Sequence, residues 1–135
     1  MFKKNIDNLI IIINIIFFSY YAIQLLVFTD EFALSNLGFF NHAVAGLSEI
    51  IGIIFLSFAL SFVTIIFRGL EKQSLLIYCI FIIQFLVSIN FWRYVMTNSQ
   101  GETNLDIISI NAIFFSFVTF LNLLLIIKNF KNNLI

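Results

Sequence analysis

Glu49 has the clearest capacity for chemistry in this chain, because it is a carboxylate well inside an apolar segment, His42-Ala-Val-Ala-Gly-Leu-Ser-Glu-Ile-Ile-Gly52. An ionisable group in hydrocarbon is costly, so it normally faces a bundle interior or cavity and marks a functional site. At 1.5 Å per residue Glu49 lies roughly 10 Å below the start of its helix. Three-and-four spacing puts His42, Ala45, Glu49 and Gly52 on one face. Gln24 on the first helix, Asn90 and Arg93 on the third, and Asn111 on the fourth fall in the same half of the membrane. Asn14, Tyr21 and Gln24 form a line on the first helix, and Asn111 and Asn122, close to three turns apart, share a face on the fourth. The expected site is an outward-opening polar patch with Glu49 at its base and Arg93 at its rim. Its chemistry would be ligand binding or proton handling.

The plainer alternative is a Glu–Arg pair with amide neighbours that holds helices in register. Each interhelical polar contact contributes only about 0.6 kcal/mol on average, so several would be needed. His42 reads as a residue of the membrane–water interface. With Glu49 seven positions away and no third ligand at suitable spacing, no metal site is expected. Cys79 is the single cysteine and sits in an apolar run, where it reads as core filler. No nucleophile–base pair or phosphate loop is present, and one histidine rules out bis-histidine haem ligation within a protomer. No cofactor is expected, and an enzyme is the less favoured class.

Four elements must position these residues. The chain has 135 residues, of which 61% are hydrophobic and 10% charged, and its mean hydropathy is +1.08. A soluble domain carries about 25% charged residues. The apolar residues fall into four blocks of about 20, the length that spans a bilayer. They predict one all-α, four-helix integral membrane bundle, with helices at about 8–28, 42–67, 74–95 and 106–127. The lysine pair before the first block resembles a signal peptide, but the apolar run exceeds the usual h-region of about 7–15 residues, so a retained helix is expected. The segment from Thr29 to Asn41, with Asp30 and Glu31 among aromatic residues, reads as a loop along the interface. On the second helix, Ala45, Gly46, Gly52 and Ala59 form a small-residue packing face that lets a neighbour approach closely.

Charge gives the orientation. Lys3, Lys4, Arg68, Lys72, Lys128 and Lys131 fall on one side, while Asp30, Glu31, Glu102, Asp106 and only Arg93 fall on the other. The positive-inside rule then places both termini in the cytoplasm. Trp92 and Tyr94 close the outer end of the third helix as interfacial aromatics. The formal net charge of zero gives no case for a nucleic-acid partner. The lipid bilayer is the expected partner, with a homo-oligomer or another membrane protein as further candidates.

The run Ala45-Gly-Leu-Ser-Glu-Ile-Ile-Gly52 is similar to the start of the second helix in a family of small bacterial inner-membrane proteins of the DoxX-like group. Members show an arginine, an alanine and a glycine pair there, with another glycine six residues later. Gly46 and Gly52 match, Ala45 stands for the first paired glycine, and the arginine is missing. Arg93 through Gly101 resembles the family's arginine and polar glycine loop after the third helix. The resemblance implies the four-helix fold and little chemistry. Small multidrug transporters also carry one intramembrane glutamate, but on the first helix and often in dual orientation, which the Lys/Arg bias here opposes. Membrane glutathione-transferase-like enzymes pair an asparagine and a glutamate as Asn41 and Glu49 do, but they need surface arginines that the corresponding stretch lacks. The leading expectation is a small binding or accessory membrane protein. The alternative is an oligomeric transporter or proton-coupled carrier using Glu49.

Overall fold

A computed structural model describes residues 2–70, 73–98 and 104–130. Glu71, Lys72, Gly101, Glu102 and Lys131 lie outside the described residues, as do the side chains of Lys3 and Lys4. Five helices follow in order: α1 (Phe2–Leu26), α2 (Thr29–Leu37), α3 (His42–Arg68), α4 (Ser74–Thr97) and α5 (Leu105–Phe130). Four of them, all but α2, are long and apolar enough to cross a bilayer, with mean hydropathy from 2.2 to 2.7. The long helices match the expected ones to within three residues at each end, except that α1 begins six residues earlier than expected. Successive long helices run antiparallel, so both ends of the described chain lie at one end of the bundle, here called the terminal end, and α2 lies at the other.

The segment expected to be a loop, Thr29 to Asn41, is a two-turn helix and a short connection. Asp30 and Glu31 in its first turn complement the positive helix N-terminus. Gly38, at φ 75°, ends α2 in the left-handed conformation, with its N–H donating to the Leu34 carbonyl at 3.1 Å. Thr29, Ala33 and Asn36 recur at helical spacing and are buried, so α2 packs one stripe against the bundle and exposes the rest. Of the aromatic residues expected to lie along the interface, Phe32 packs on the core while Phe39 and Phe40 are exposed. Asn41 caps α3, its Oδ1 accepting from the Val44 N–H at 2.9 Å.

The long helices are not equivalent. α1 packs chiefly on α3 and α4 on α5, and an α1–α5 contact joins the two pairs. In the most apolar stretch of each helix 44% of residues are buried in α1 and in α5, against 28% in α3 and 22% in α4. α1 and α5 are therefore central and α3 and α4 peripheral. The α1–α3 approach depends on Gly52, where a Cβ would stand 2.7 Å from Leu26 Cγ and 3.1 Å from Leu25 Cβ. Gly52 and Ala59 of the expected small-residue face are buried, Ala45 is half-buried and Gly46 is exposed.

Lipid tails are as apolar as leucine, so packing and hydrogen bonds, not water exclusion, hold these helices together. Phe18, Phe62 and Phe115 are fully buried. Phe17 meets Phe115 edge-on across α1 and α5 with centroids 4.8 Å apart, and Phe91 of α4 meets the same ring at 5.3 Å. Cys79 does not fill the core as expected; it faces outward from α4.

Candidate functional site

Six of the nine buried polar side chains among the described residues fall into three clusters, while Thr29 and Thr119 donate to the Leu25 and Phe115 carbonyls. The deepest joins Asn14 of α1, Gln84 of α4 and Asn122 of α5, each with no exposed surface. Asn14 Nδ2 donates to Asn122 Oδ1 and Asn122 Nδ2 returns a bond to Asn14 Oδ1, both at 2.9 Å. Gln84 Nε2 donates to Asn14 Oδ1 at 3.2 Å, and Asn122 Nδ2 donates to Gln84 Oε1 at 2.5 Å. The second proton of Asn14 goes to the Ile10 carbonyl at 2.9 Å. Three uncharged side chains on three helices thus satisfy one another in a setting without water, the condition for burying polar groups at low cost.

The second cluster lies nearer α2. Tyr21 Oη donates to Asn111 Oδ1 at 2.6 Å, and Asn111 Nδ2 donates to Asn36 Oδ1 at 2.7 Å. Asn36 in turn donates to the Phe32 carbonyl. This chain of bonds ties α2 to both central helices. In the third, Ser116 Oγ donates to the Ala112 carbonyl at 2.8 Å. With its one proton so used, it accepts from Ser88 at 2.7 Å and from the Trp92 indole at 2.9 Å. At the terminal end Lys128 pairs with Asp7 at 2.7 Å, joining α5 to α1.

The residues expected to form one outward-opening patch are not gathered. Asn111 is buried, but its partners are Tyr21 and Asn36. Gln24 is half-buried and joins none of the clusters, and Asn90 and His42 are exposed. Glu49 points away from the bundle. The buried line of α3 runs through Ser48, Gly52, Phe55, Ala59 and Phe62, and Glu49 stands one residue past Ser48, about 100° around the axis. Arg93 is exposed on α4, with its guanidinium 4.9 Å from the neighbouring Tyr94 ring centre. The expected Glu49–Arg93 pair within one chain is not formed; among the described residues the ion pair is Asp7–Lys128.

Gln84 was not among the expected site residues, although a signal existed. It is the one amide in the middle of an otherwise apolar helix, 13 residues before the end of α4. Asn14 stands 12 residues before the end of α1, so the two match in depth. Asn36 had no such signal, because its segment was read as a loop.

On its outward face α3 carries His42, Gly46, Glu49, Ser57, Ser61 and Thr64 at helical spacing. The three hydroxyls donate to their own helix, to the Ile53, Ser57 and Ser61 carbonyls at 2.7–2.8 Å. That is how isolated hydroxyls are satisfied in lipid. Glu49 has no such recourse, since an ionised carboxylate only accepts and the helix's own N–H groups are used. A shallow depression of about 350 Å³ beside Arg93 is lined by Ile89, Trp92, Arg93, Met96 and Thr97. Among the described residues no group of three His, Cys, Asp or Glu side chains could hold a metal ion. Compared with protein-family models, with curated proteins and with solved structures, the chain finds no match.

Proposed function

We propose that this chain is a small, non-enzymatic membrane protein that acts by binding, an accessory component whose recognition groups face out from the bundle toward the α2 end. One contrast carries this reading. The buried amides satisfy one another, whereas Glu49 and Arg93 are exposed at membrane depth without an opposite charge within the chain's described residues. An intramembrane charge is retained where something outside the helix compensates it. The host is the cytoplasmic membrane with both termini inside, a reading supported by Arg68 and Lys128 at the terminal end and Asp30, Glu31 and Asp106 at the other. A DoxX-like relationship, suggested by the run Ala45 to Gly52, would carry the same layout.

A second reading is an oligomeric carrier using Glu49, favoured by the outward placement of that carboxylate. Such a route would run between copies, because Phe17, Phe18 and Phe115 and the amide cluster fill the middle of a single bundle. Native mass spectrometry of the protein released gently from its own membrane tests the first reading. The expected result is a reproducible associated mass, whether lipid, small polar ligand or protein, that is lost in Glu49→Gln. A bare monomer for both proteins overturns it. Uptake driven by a pH gradient in proteoliposomes, abolished by Glu49→Gln, would establish the carrier instead.

A further inference from the structure

We infer that the outward face of α3 is covered by a second copy of this chain, with Glu49 of one copy paired with Arg93 of its neighbour. The inference rests on the binding role proposed above and names the partner. Charge complementarity is the first argument. Glu49 and Arg93 are exposed charges of opposite sign within the spanning helices, and neither has an ion-pair partner among the described residues. Leaving Glu49 against lipid is costly, and Arg93, near the end of α4, is long enough to reach it, so one intermolecular contact removes that cost.

Depth is the second. α3 begins and α4 ends at the same side of the bundle. Glu49 stands seven residues after His42, about 10 Å in, and Arg93 four residues before Thr97, about 6 Å in. A long arginine side chain spans the difference, so two copies inserted in the same orientation bring the groups to one level. Copies in opposite orientations would put them at opposite membrane faces.

Shape is the third. α3 and α4 are the peripheral helices and make no comparable packing with each other. Gly46, one turn from Glu49, has nothing within 4 Å of where a Cβ would stand, so it leaves a gap there beside the exposed Ile50 and Ile53. The depression beside Arg93 on α4 offers a concave counterpart. Farther along α3, Ser57, Ser61 and Thr64 stand among the exposed Ile53, Leu56 and Leu60, and such small hydroxyl residues let a neighbouring helix approach. A two-fold pair makes the Glu49–Arg93 contact twice; a ring makes it once per copy.

The test uses the full chain in lipid nanodiscs and gentle detergent, read by native mass spectrometry and by cross-linking. Wild type is expected as a homo-oligomer. Glu49→Arg and Arg93→Glu should each cut the oligomeric fraction at least about tenfold, as removing one partner of a desolvated pair does. The double exchange, Glu49→Arg with Arg93→Glu, should restore it. Glu49→Gln and Arg93→Gln, the milder variants, should weaken association while retaining wild-type helicity. In a Cys79→Ser background, Glu49→Cys and Arg93→Cys proteins should be joined by a bifunctional thiol cross-linker about 10 Å long only when mixed, since the long Glu–Arg pair leaves the backbones too far apart for a direct disulfide. An oligomer indifferent to these changes, or a folded double exchange that stays monomeric, overturns the inference. A monomer carrying some other mass that Glu49→Gln loses overturns it too, but leaves the binding role standing. A bare monomer overturns both.

Discussion

The amide cluster at mid-depth and the outward face of α3 put polar groups into the same apolar setting and resolve them in opposite ways. Asn14, Gln84 and Asn122 are uncharged, fully buried and bonded to one another from three helices. Glu49 is charged and exposed, on a peripheral helix whose hydroxyls bond only to their own backbone. The polar groups of the interior are satisfied within the protomer and specify its fold. On the α3 face the hydroxyls are satisfied by their own helix and Glu49 is not, so Glu49 alone points beyond the protomer.

The contrast can be broken most forcefully at its interior side. Asn122→Ala removes three of the four mutual bonds and leaves one Asn14 N–H and the Gln84 side-chain carbonyl buried without a partner, for an expected loss of about 2–3 kcal/mol in thermal or SDS-induced unfolding. Replacing all three amides by leucine should cost less than that single change, because no buried group is then left without a partner. A triple variant less stable than Asn122→Ala would show that the cluster does more than satisfy itself.

Smaller effects follow in order. Gly52→Val forces α1 from α3, since even a Cβ meets Leu26 and Leu25, and overpacking of this kind costs about 1–3 kcal/mol. Asn111→Leu should cost about 1–2 kcal/mol and release α2, read as faster amide exchange over Thr29–Leu37 with little change in α3. Asp7→Asn should cost less than about 1 kcal/mol and less still at high salt, because its pair with Lys128 is partly solvated. Glu49→Gln marks the outer side of the comparison. Folding stability should stay within about 0.5 kcal/mol of wild type, as at other exposed positions, while association weakens. Glu49→Gln unfolding as readily as Asn122→Ala would erase the distinction.

Much of this architecture is legible in the chain. The four spans, the close packing at Gly52 and the in-line polar positions of Asn14, Asn111 and Asn122 follow from composition and helical spacing. Two parts do not. The helix Thr29–Leu37 hides among aromatics that read as interface, since its buried stripe holds only Thr29, Ala33 and Asn36. The grouping of polar residues is hidden for a different reason. Spacing shows which side chains share a face of one helix, but it says nothing about which way that face turns. Asn111 falls in the same half of the membrane as Glu49, yet its partners are Tyr21 and Asn36.

The sequence by itself determined that four apolar helices cross a bilayer and which residues line up along each, because backbone hydrogen bonds in lipid must close within each helix and fix its period. Only the tertiary structure decided how each helix is rotated about its axis, and a single residue, about 100°, separates buried Ser48 from exposed Glu49. That rotation comes from packing, from Gly52 against Leu25 and Leu26 and from phenylalanine rings meeting across α1, α3 and α5. These contacts between residues far apart in the chain leave no trace in local spacing.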